Sequence, residues 1–302
     1  MNNRLTAGTV VLLLIPPLMW AGNAVIGRAV ASLVSPLTLN FLRWMVALLL
    51  LLPLGWRVLR PDSVIWREWR RYALLGLLGV GLYNSLQYLA LHTSTAVNVT
   101  LVAASMPIWM LLVGRVFYGA GINAMQIVGA VLSLVGVVVV LSQGRWVQLL
   151  ALHFVFGDLL MVVATILWAF YSWQLTRISA EAASSMPWAD FLLAQIVYGV
   201  GWSGLLSALE WGVGEPVIVW DWPIALAILF VAVGPAVLAY RCWGVGVRRV
   251  GPTVAGFFFN LTPLFAALLS QGLLNESPHE YHVLAFALIL GGIVLASRPG
   301  RV

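Results

Sequence analysis

The sequence has no lysine, one cysteine and little charge of either sign. Charged residues make up 9% of the 302 positions, against about 25% in an ordinary soluble domain. A single large water-soluble core is therefore excluded. The lone Cys242 excludes an internal disulfide and a multi-cysteine metal site. The net charge of +6 comes from arginine alone. No basic face with interleaved aromatics accompanies it, so nucleic acid is not an expected partner. No HExxH, GxSxG or P-loop pattern occurs. The four histidines, His92, His153, His279 and His282, fall at the ends of apolar runs or between them. Only His279 and His282 are close, and with Glu276 and Glu280 they make no ligand set of recognisable geometry. No cofactor, no metal and no catalytic residue are expected.

Long apolar runs fill the rest. Hydrophobic residues reach 62% and the mean hydropathy is +0.99. The runs are continuous, unlike the alternating strands of about ten residues that build membrane barrels. A span needs about 20 apolar residues. Ten segments meet that, near 7–28, 36–56, 72–91, 95–114, 123–142, 156–177, 186–209, 223–243, 252–274 and 280–297. The expected fold class is an all-α polytopic membrane protein with ten transmembrane helices.

Arginine sets the orientation. With the N-terminus in the cytoplasm, thirteen arginines fall on that side, five of them between positions 57 and 71. The outer side holds Arg28 and Arg145, and Arg43 lies inside the second span. This asymmetry predicts both termini cytoplasmic. The chain also contains its own second copy. "WAGNAVIGR" from Trp20 is echoed by "WAFYSWQLTR" from Trp168, and Pro107 aligns with Pro263, a displacement of about 150 residues. Five spans per copy is odd, so the copies cross the membrane in opposite senses. The expected division is 1–145 and 146–302, two inverted five-helix repeats of the kind secondary transporters use. The basic start and apolar core of the first span also fit a signal peptide. Its match with the helix at Trp168 argues that it is retained, since cleavage would strip one helix from a repeat.

Four stretches carry a family resemblance: "WAGN" at 20–23, "SPLTLNFLRW" at 35–44, "YLALHTSTAVNVTLVAASMPIW" at 88–109 and "FNLTPLFAALL" at 259–269. Across nearly its whole length the chain resembles the drug/metabolite transporter superfamily, in its ten-helix form with two EamA-type repeats. Within it the chain is most similar to the YddG-type amino-acid exporters of bacterial inner membranes. The resemblance implies export of small metabolites through a cavity between the halves, with the fifth helix of each repeat packed outside. It also implies a structural or gating role for Arg43.

Candidate site residues follow from spacing. Trp20 and Asn23 are three apart in the first span, Tyr83 and Gln87 four apart in the third, and Trp168 and Tyr171 three apart in the sixth, so each pair shares a helix face. Trp109 lies on the fourth span, Tyr240 on the eighth, and Phe257 and Asn260 on the ninth. These ten are the expected substrate-binding set. Asn, Gln, Ser and Thr also glue helices together, and Trp and Tyr also form interfacial belts. Belts account for Trp56, Trp66, Trp69, Trp211, Trp220 and Trp222 at span ends, but poorly for Trp168 and Tyr83 near span centres. Pro16-Pro17, Pro107, Pro263 and the Gly234-Pro235 pair interrupt spans, and all but the first pair join Arg43 as gating or structural candidates. Gly129, Gly136, Gly291 and Gly292 suit close helix packing.

No acid or histidine sits at the centre of a span, which disfavours a carboxylate-driven proton carrier. Aromatic walls with a few hydrogen-bonding groups suit a small zwitterionic or amphipathic solute. The expectation is a secondary transporter in the bilayer, exporting aromatic or neutral amino acids by alternating access. Sugars, nucleosides and lipophilic cationic drugs are alternatives on the same fold. A membrane-embedded enzyme and a channel are rivals from other classes. Proton or exchange coupling, oligomeric state and favoured conformation stay open.

Overall fold

Proline, glycine and small residues punctuate an otherwise uniformly apolar chain, and they decide where its helices stop. The computed structural model describes residues 5–145, 147–150, 153–177, 186–274 and 280–298. Arg4, Glu276, His279 and Arg301, used above for topology or as ligands, lie outside these. The helices are α1 (Ala7–Ala29), α2 (Pro36–Gly55), α3 (Trp69–Thr93), α4 (Asn98–Tyr118), α5 (Ala124–Leu141), α6 (Phe156–Arg177), α7 (Trp188–Val213), α8 (Trp222–Phe258), α9 (Leu261–Leu274) and α10 (Glu280–Ala296). Among the described residues, α1 to α8 are each long and apolar enough to cross a membrane. Helices α9 and α10, at 14 and 17 residues, are shorter. No strand occurs among the described residues beyond one isolated bridge, Val34 to Ile218. The protein is a multi-pass integral membrane protein.

The breaks differ in part from the sequence expectation. Pro16 and Pro17 sit inside α1, which runs unbroken for 23 residues. Helix α4 pauses at Ala104 and Ser105, so Pro107 falls in the first turn of the segment that follows. Pro263 likewise lies in the first turn of α9, after a break at Phe259 and Asn260. These prolines start helical segments where the missing N–H had no partner to lose. Gly251, at φ 84° and ψ 160°, breaks α8 ahead of Pro252. That φ suits glycine alone, so the expected end of the eighth span near 243 moves to Val250.

Two stretches are π-helical: Gly76–Leu82 in α3 and Ala232–Leu238 in α8, the latter holding Pro235. A π turn is wider than an α turn, takes some carbonyls off the regular ladder and is frequent at functional sites. The helices associate mainly as α2 with α7, α3 with α6 and α7, α1 with α8 and α9, α4 with α6, and α5 with α10. Helix α5 meets α10 backbone to backbone. A Cβ on Gly129 would lie 2.7 Å from the Gly292 carbonyl, and one on Gly292 would lie 2.6 Å from the Gly129 carbonyl. Lipid offers no hydrophobic drive to helix pairing, so this close fit is what holds them.

Acidic side chains fasten the helix ends. The Glu210 carboxylate accepts from Leu37 N at 3.0 Å, Thr38 N at 2.8 Å and Thr38 Oγ1 at 2.7 Å, capping α2 from α7. Negative charge there matches unpaired N–H groups and the helix dipole. Asp158 accepts from Val155 N, Asn98 Nδ2 and Ser94 Oγ, tying α6 to α3 and α4. Arg28 donates to the Leu91 carbonyl at the C-terminal end of α3 at 3.0 Å.

Candidate functional site

The π-helical stretches are where side chains from different helices converge. In α3 the Gly79 carbonyl accepts from Asn84 Nδ2 at 2.9 Å and from the Tyr240 hydroxyl of α8. Asn84 Nδ2 also donates to that hydroxyl at 2.9 Å. In α8 the Pro235 carbonyl accepts from Trp20 Nε1 of α1 at 3.2 Å. Backbone off the regular ladder is tolerated inside a membrane protein only where such partners exist.

An aromatic cluster is built on this frame. Trp168 of α6 is its centre, wholly buried. Its ring centroid lies 4.7 Å from Tyr83, 4.9 Å from Tyr171, 5.2 Å from Trp20, 5.3 Å from Tyr240 and 5.7 Å from Trp243. Trp20 also meets Phe259 at 5.2 Å, and Trp44 of α2 meets Tyr240 edge-on at 4.8 Å. Tilted and edge-to-face pairs at these distances each contribute about 0.5–1.5 kcal/mol beyond burial. Tyr171 donates to Gln195 of α7 at 2.9 Å, and Trp243 to Ser172 at 3.1 Å.

Beside the rings lies a buried arginine. Arg43 of α2 has 0% exposure. Its Nη1 contacts Asn23 Oδ1 at 3.2 Å, Asn84 Oδ1 at 3.1 Å and the Tyr88 hydroxyl at 2.9 Å. Tyr88 in turn donates to Asn23 at 2.7 Å. The guanidinium carbon stands 5.2 Å from the Trp44 ring centre and 5.9 Å from that of Tyr88. Amide oxygens, a phenol oxygen and two π faces surround the cation. Among the described residues, the one ion pair is Arg71 with Glu68, on the surface.

Two small cavities flank the cluster. One, of about 30 Å³, is walled by Trp20, Gln87, Thr100, Phe259, Thr262 and neighbours. The other, of about 10 Å³, is walled by Tyr171, Gln195, Tyr240, Arg248 and neighbours. A single water needs about 10–15 Å³ of such space, so the first has room for a few waters at most, the second for about one, and neither as it stands for an aromatic amino acid. The rings close the space between them.

Comparison with known proteins fits this arrangement. The EamA-like transporter family matches residues 7–142 and again 155–298. The chain belongs to the EamA-like transporter family. Among curated relatives, an uncharacterized transporter of Archaeoglobus fulgidus is 28% identical over 296 residues, 96% of this chain and 97% of that one. The aromatic amino acid exporter YddG of Ancylobacter novellus is 26% identical over 250 residues, 82% of this chain and 80% of that one. The inner membrane transporter YedA of Escherichia coli, itself uncharacterized, is 24% identical over 290 residues, 93% of this chain and 87% of that one. A solved structure, titled only as the crystal structure of a protein, is similar with a TM-score of 0.74 over 97% of each chain at 20% identity, a likeness of fold.

Within this EamA-like transporter, the residues expected from spacing separate into groups. Trp20, Tyr83, Trp168, Tyr171 and Tyr240 come together in the ring cluster. Gln87 walls the larger of the two cavities. Asn23 shares a helix face with Trp20 but turns to Arg43. Trp109 is half-buried and donates to Ser105, one turn back, at 2.9 Å. Phe257 and Asn260 point elsewhere. A Cβ on Gly129 of α5 would sit 3.4 Å from the Phe257 ring, and Asn260 Nδ2 donates to Ser133 of α5 at 2.8 Å. The break at Phe259 and Asn260 turns Phe259 toward Trp20 instead. Gly234 packs on Met19, and Pro235 offers its carbonyl to Trp20. Reading by spacing passed over Trp44, Asn84, Tyr88, Trp243 and Phe259. For Trp243 a signal existed, since it lies three residues after Tyr240 on one helical face. Asn84 and Tyr88 carried the same signal, four apart on one face, but nothing local points to their partner Arg43, which is forty or more positions away.

Proposed function

We propose that this protein is a secondary transporter that exports aromatic or neutral amino acids across a bacterial inner membrane by alternating access. On this reading the chain crosses the bilayer ten times, as inverted repeats 1–145 and 146–302 with both termini in the cytoplasm. The observation that carries it is the cluster around Trp168, where helices from both halves meet between two small cavities. Parting the rings on one side at a time would expose the site alternately. Trp20, Asn23, Tyr83, Gln87, Trp168, Tyr171 and Tyr240 would form it, and Arg43, Gly234 and Pro235 would shape it. Trp109, Phe257 and Asn260 would support its outer wall.

Internal symmetry supports the two-repeat reading. Gly76 to Ala232 and Pro107 to Pro263 are each displaced by 156 positions, so the two π-helical stretches and the two helix-starting prolines coincide under one shift. The same shift takes Asn84 to Tyr240, which hydrogen-bond to each other, and Gly79 to Pro235, whose carbonyls both serve the site. Exchanging each helix for the one five places on also maps the pair α1 and α8 onto α6 and α3, and leaves α2–α7 and α5–α10 paired. Halves of such likeness give inward-open and outward-open states of similar energy.

The aromatic walls and the name of the 26% identical relative support the solute class. Aromatic faces also favour a lipophilic cation, the second reading. Counterflow in proteoliposomes, with a panel of amino acids, sugars, nucleosides and cationic drugs at several pH gradients, tests both. Saturable exchange of aromatic amino acids is the expected result. Movement of a drug or sugar alone would refute the substrate, and flux without acceleration by solute on the opposite side would refute the carrier.

A further inference from the structure

We infer that Arg43 is the receptor for a carboxylate on the transported solute, an assignment that rests on the carrier reading above and narrows it. A guanidinium presents five N–H donors in a fixed fork. Only Nη1 of Arg43 is engaged, and three acceptors share its two hydrogens. Nε and Nη2 are buried and have no hydrogen-bond partner. Those two nitrogens form the edge whose parallel N–H bonds match the two oxygens of a carboxylate.

The charge itself has no counterion. Among the described residues no carboxylate lies within 4.0 Å of Arg43. A fully buried cation without an opposite charge is costly to maintain. Its shell of amide and phenol oxygens and ring faces stabilises the cation without neutralising it. Hydrogen bonding between helices would need no ion at all, because asparagine or glutamine serves that purpose. Two more buried donors lack partners nearby. They are Trp44 Nε1 and Trp168 Nε1, whose rings both contact Tyr240, the phenol that accepts from Asn84 in the arginine's own shell. An ionised carboxylate only accepts hydrogen bonds, so it complements this set.

The helices that carry the partners of Arg43 also border a space, although Arg43 itself does not wall it. Trp20 and Ala24 of α1, the helix of Asn23, and Gln87 of α3, the helix of Asn84 and Tyr88, wall the cavity of about 30 Å³. Separation of α1 and α3 from α4 and α9 would widen that cavity toward the arginine shell. The ring cluster would then take the solute's apolar side chain while Arg43 takes its acid group.

The test uses the full-length protein in liposomes loaded with L-phenylalanine. Four external competitors are compared: L-phenylalanine, its amide, phenethylamine and 3-phenylpropionate. The two carboxylates should compete, and the amide and amine should be weaker by more than about thirtyfold, the loss typical of an unpaired buried charge. Arg43→Gln should erase that gap by weakening the two acids selectively. Arg43→Lys, which keeps charge but loses the fork, should fall between. Equal competition by phenylalanine and its amide in the wild type would overturn the inference while leaving amino-acid transport standing. So would Arg43→Gln lowering all four alike, the signature of a merely structural arginine. Transport of a carboxylate-free sugar or nucleoside in place of all four would overturn the substrate reading and this inference together. If Arg43→Gln fails to fold, Arg43→Lys decides: a gap between acids and carboxylate-free competitors as wide as in the wild type would overturn the inference, and a narrowed gap supports it.

Discussion

Trp20 and Trp168 touch each other, and the same substitution at the two should have opposite rank from what burial predicts. Trp168 is 0% exposed with five ring neighbours, whereas Trp20 is 8% exposed with four. Replacing either by phenylalanine removes the same atoms and leaves a comparable void, costing about 1–2 kcal/mol. On burial and ring contacts alone, Trp168→Phe is the worse change. The hydrogen bonds reverse this. Trp168 Nε1 has no partner, so phenylalanine there loses no hydrogen bond and relieves a buried orphan donor. Trp20 Nε1 holds the Pro235 carbonyl in the π-helical stretch of α8. Its loss adds about 1–2 kcal/mol, at the upper end for hydrogen bonds between membrane helices. Trp20→Phe should therefore be less stable than Trp168→Phe by about 1 kcal/mol or more. Unfolding free energies from detergent–SDS titration of the purified variants measure this. Equal losses, or a larger loss for Trp168→Phe, would refute the reasoning that the indole at position 20 pins the π stretch.

Three further outcomes are expected. Asn260→Ala should leave transport intact and cost about 1 kcal/mol of stability, with Ser133→Ala adding nothing on top because both remove one bond; a transport defect at normal yield would return Asn260 to the site. Gly292→Ile should abolish folded yield, since its Cβ would sit 2.6 Å from a carbonyl, whereas Gly291→Ala, which meets only the end of Leu132 at 3.1 Å, should express normally by size-exclusion chromatography. Glu210→Gln should lower unfolding stability by about 1 kcal/mol, because the amide replaces one accepting oxygen of the α2 cap; an unchanged SDS midpoint would count against that cap.

Much of the fold is written locally. The long apolar runs require helices in a bilayer, since only a hydrogen-bonded backbone survives there, and most helix limits follow from proline, glycine and arginine. The central position of Trp168 and Tyr83 was legible because interfacial belts explain neither. The 222–274 stretch was misread at its joint: apolar periodicity does not reveal that Gly251 alone adopts positive φ, nor that the chain turns again at Phe259 and Asn260. That second turn is why Phe257 and Asn260 face α5 and Phe259 faces Trp20. Spacing assigns residues to a face only while the helix continues.

The sequence by itself determined that this chain is a multi-pass membrane protein, because hydropathy is a property of short segments. Only the tertiary structure decided which polar groups meet. Arg43 finds Asn23, Asn84 and Tyr88 on two other helices, and the Gly79 and Pro235 carbonyls find donors far along the chain. Pairings of that kind depend on how helices lie against one another, and in lipid that is set by close packing and hydrogen bonds between helices rather than by any pattern along one of them.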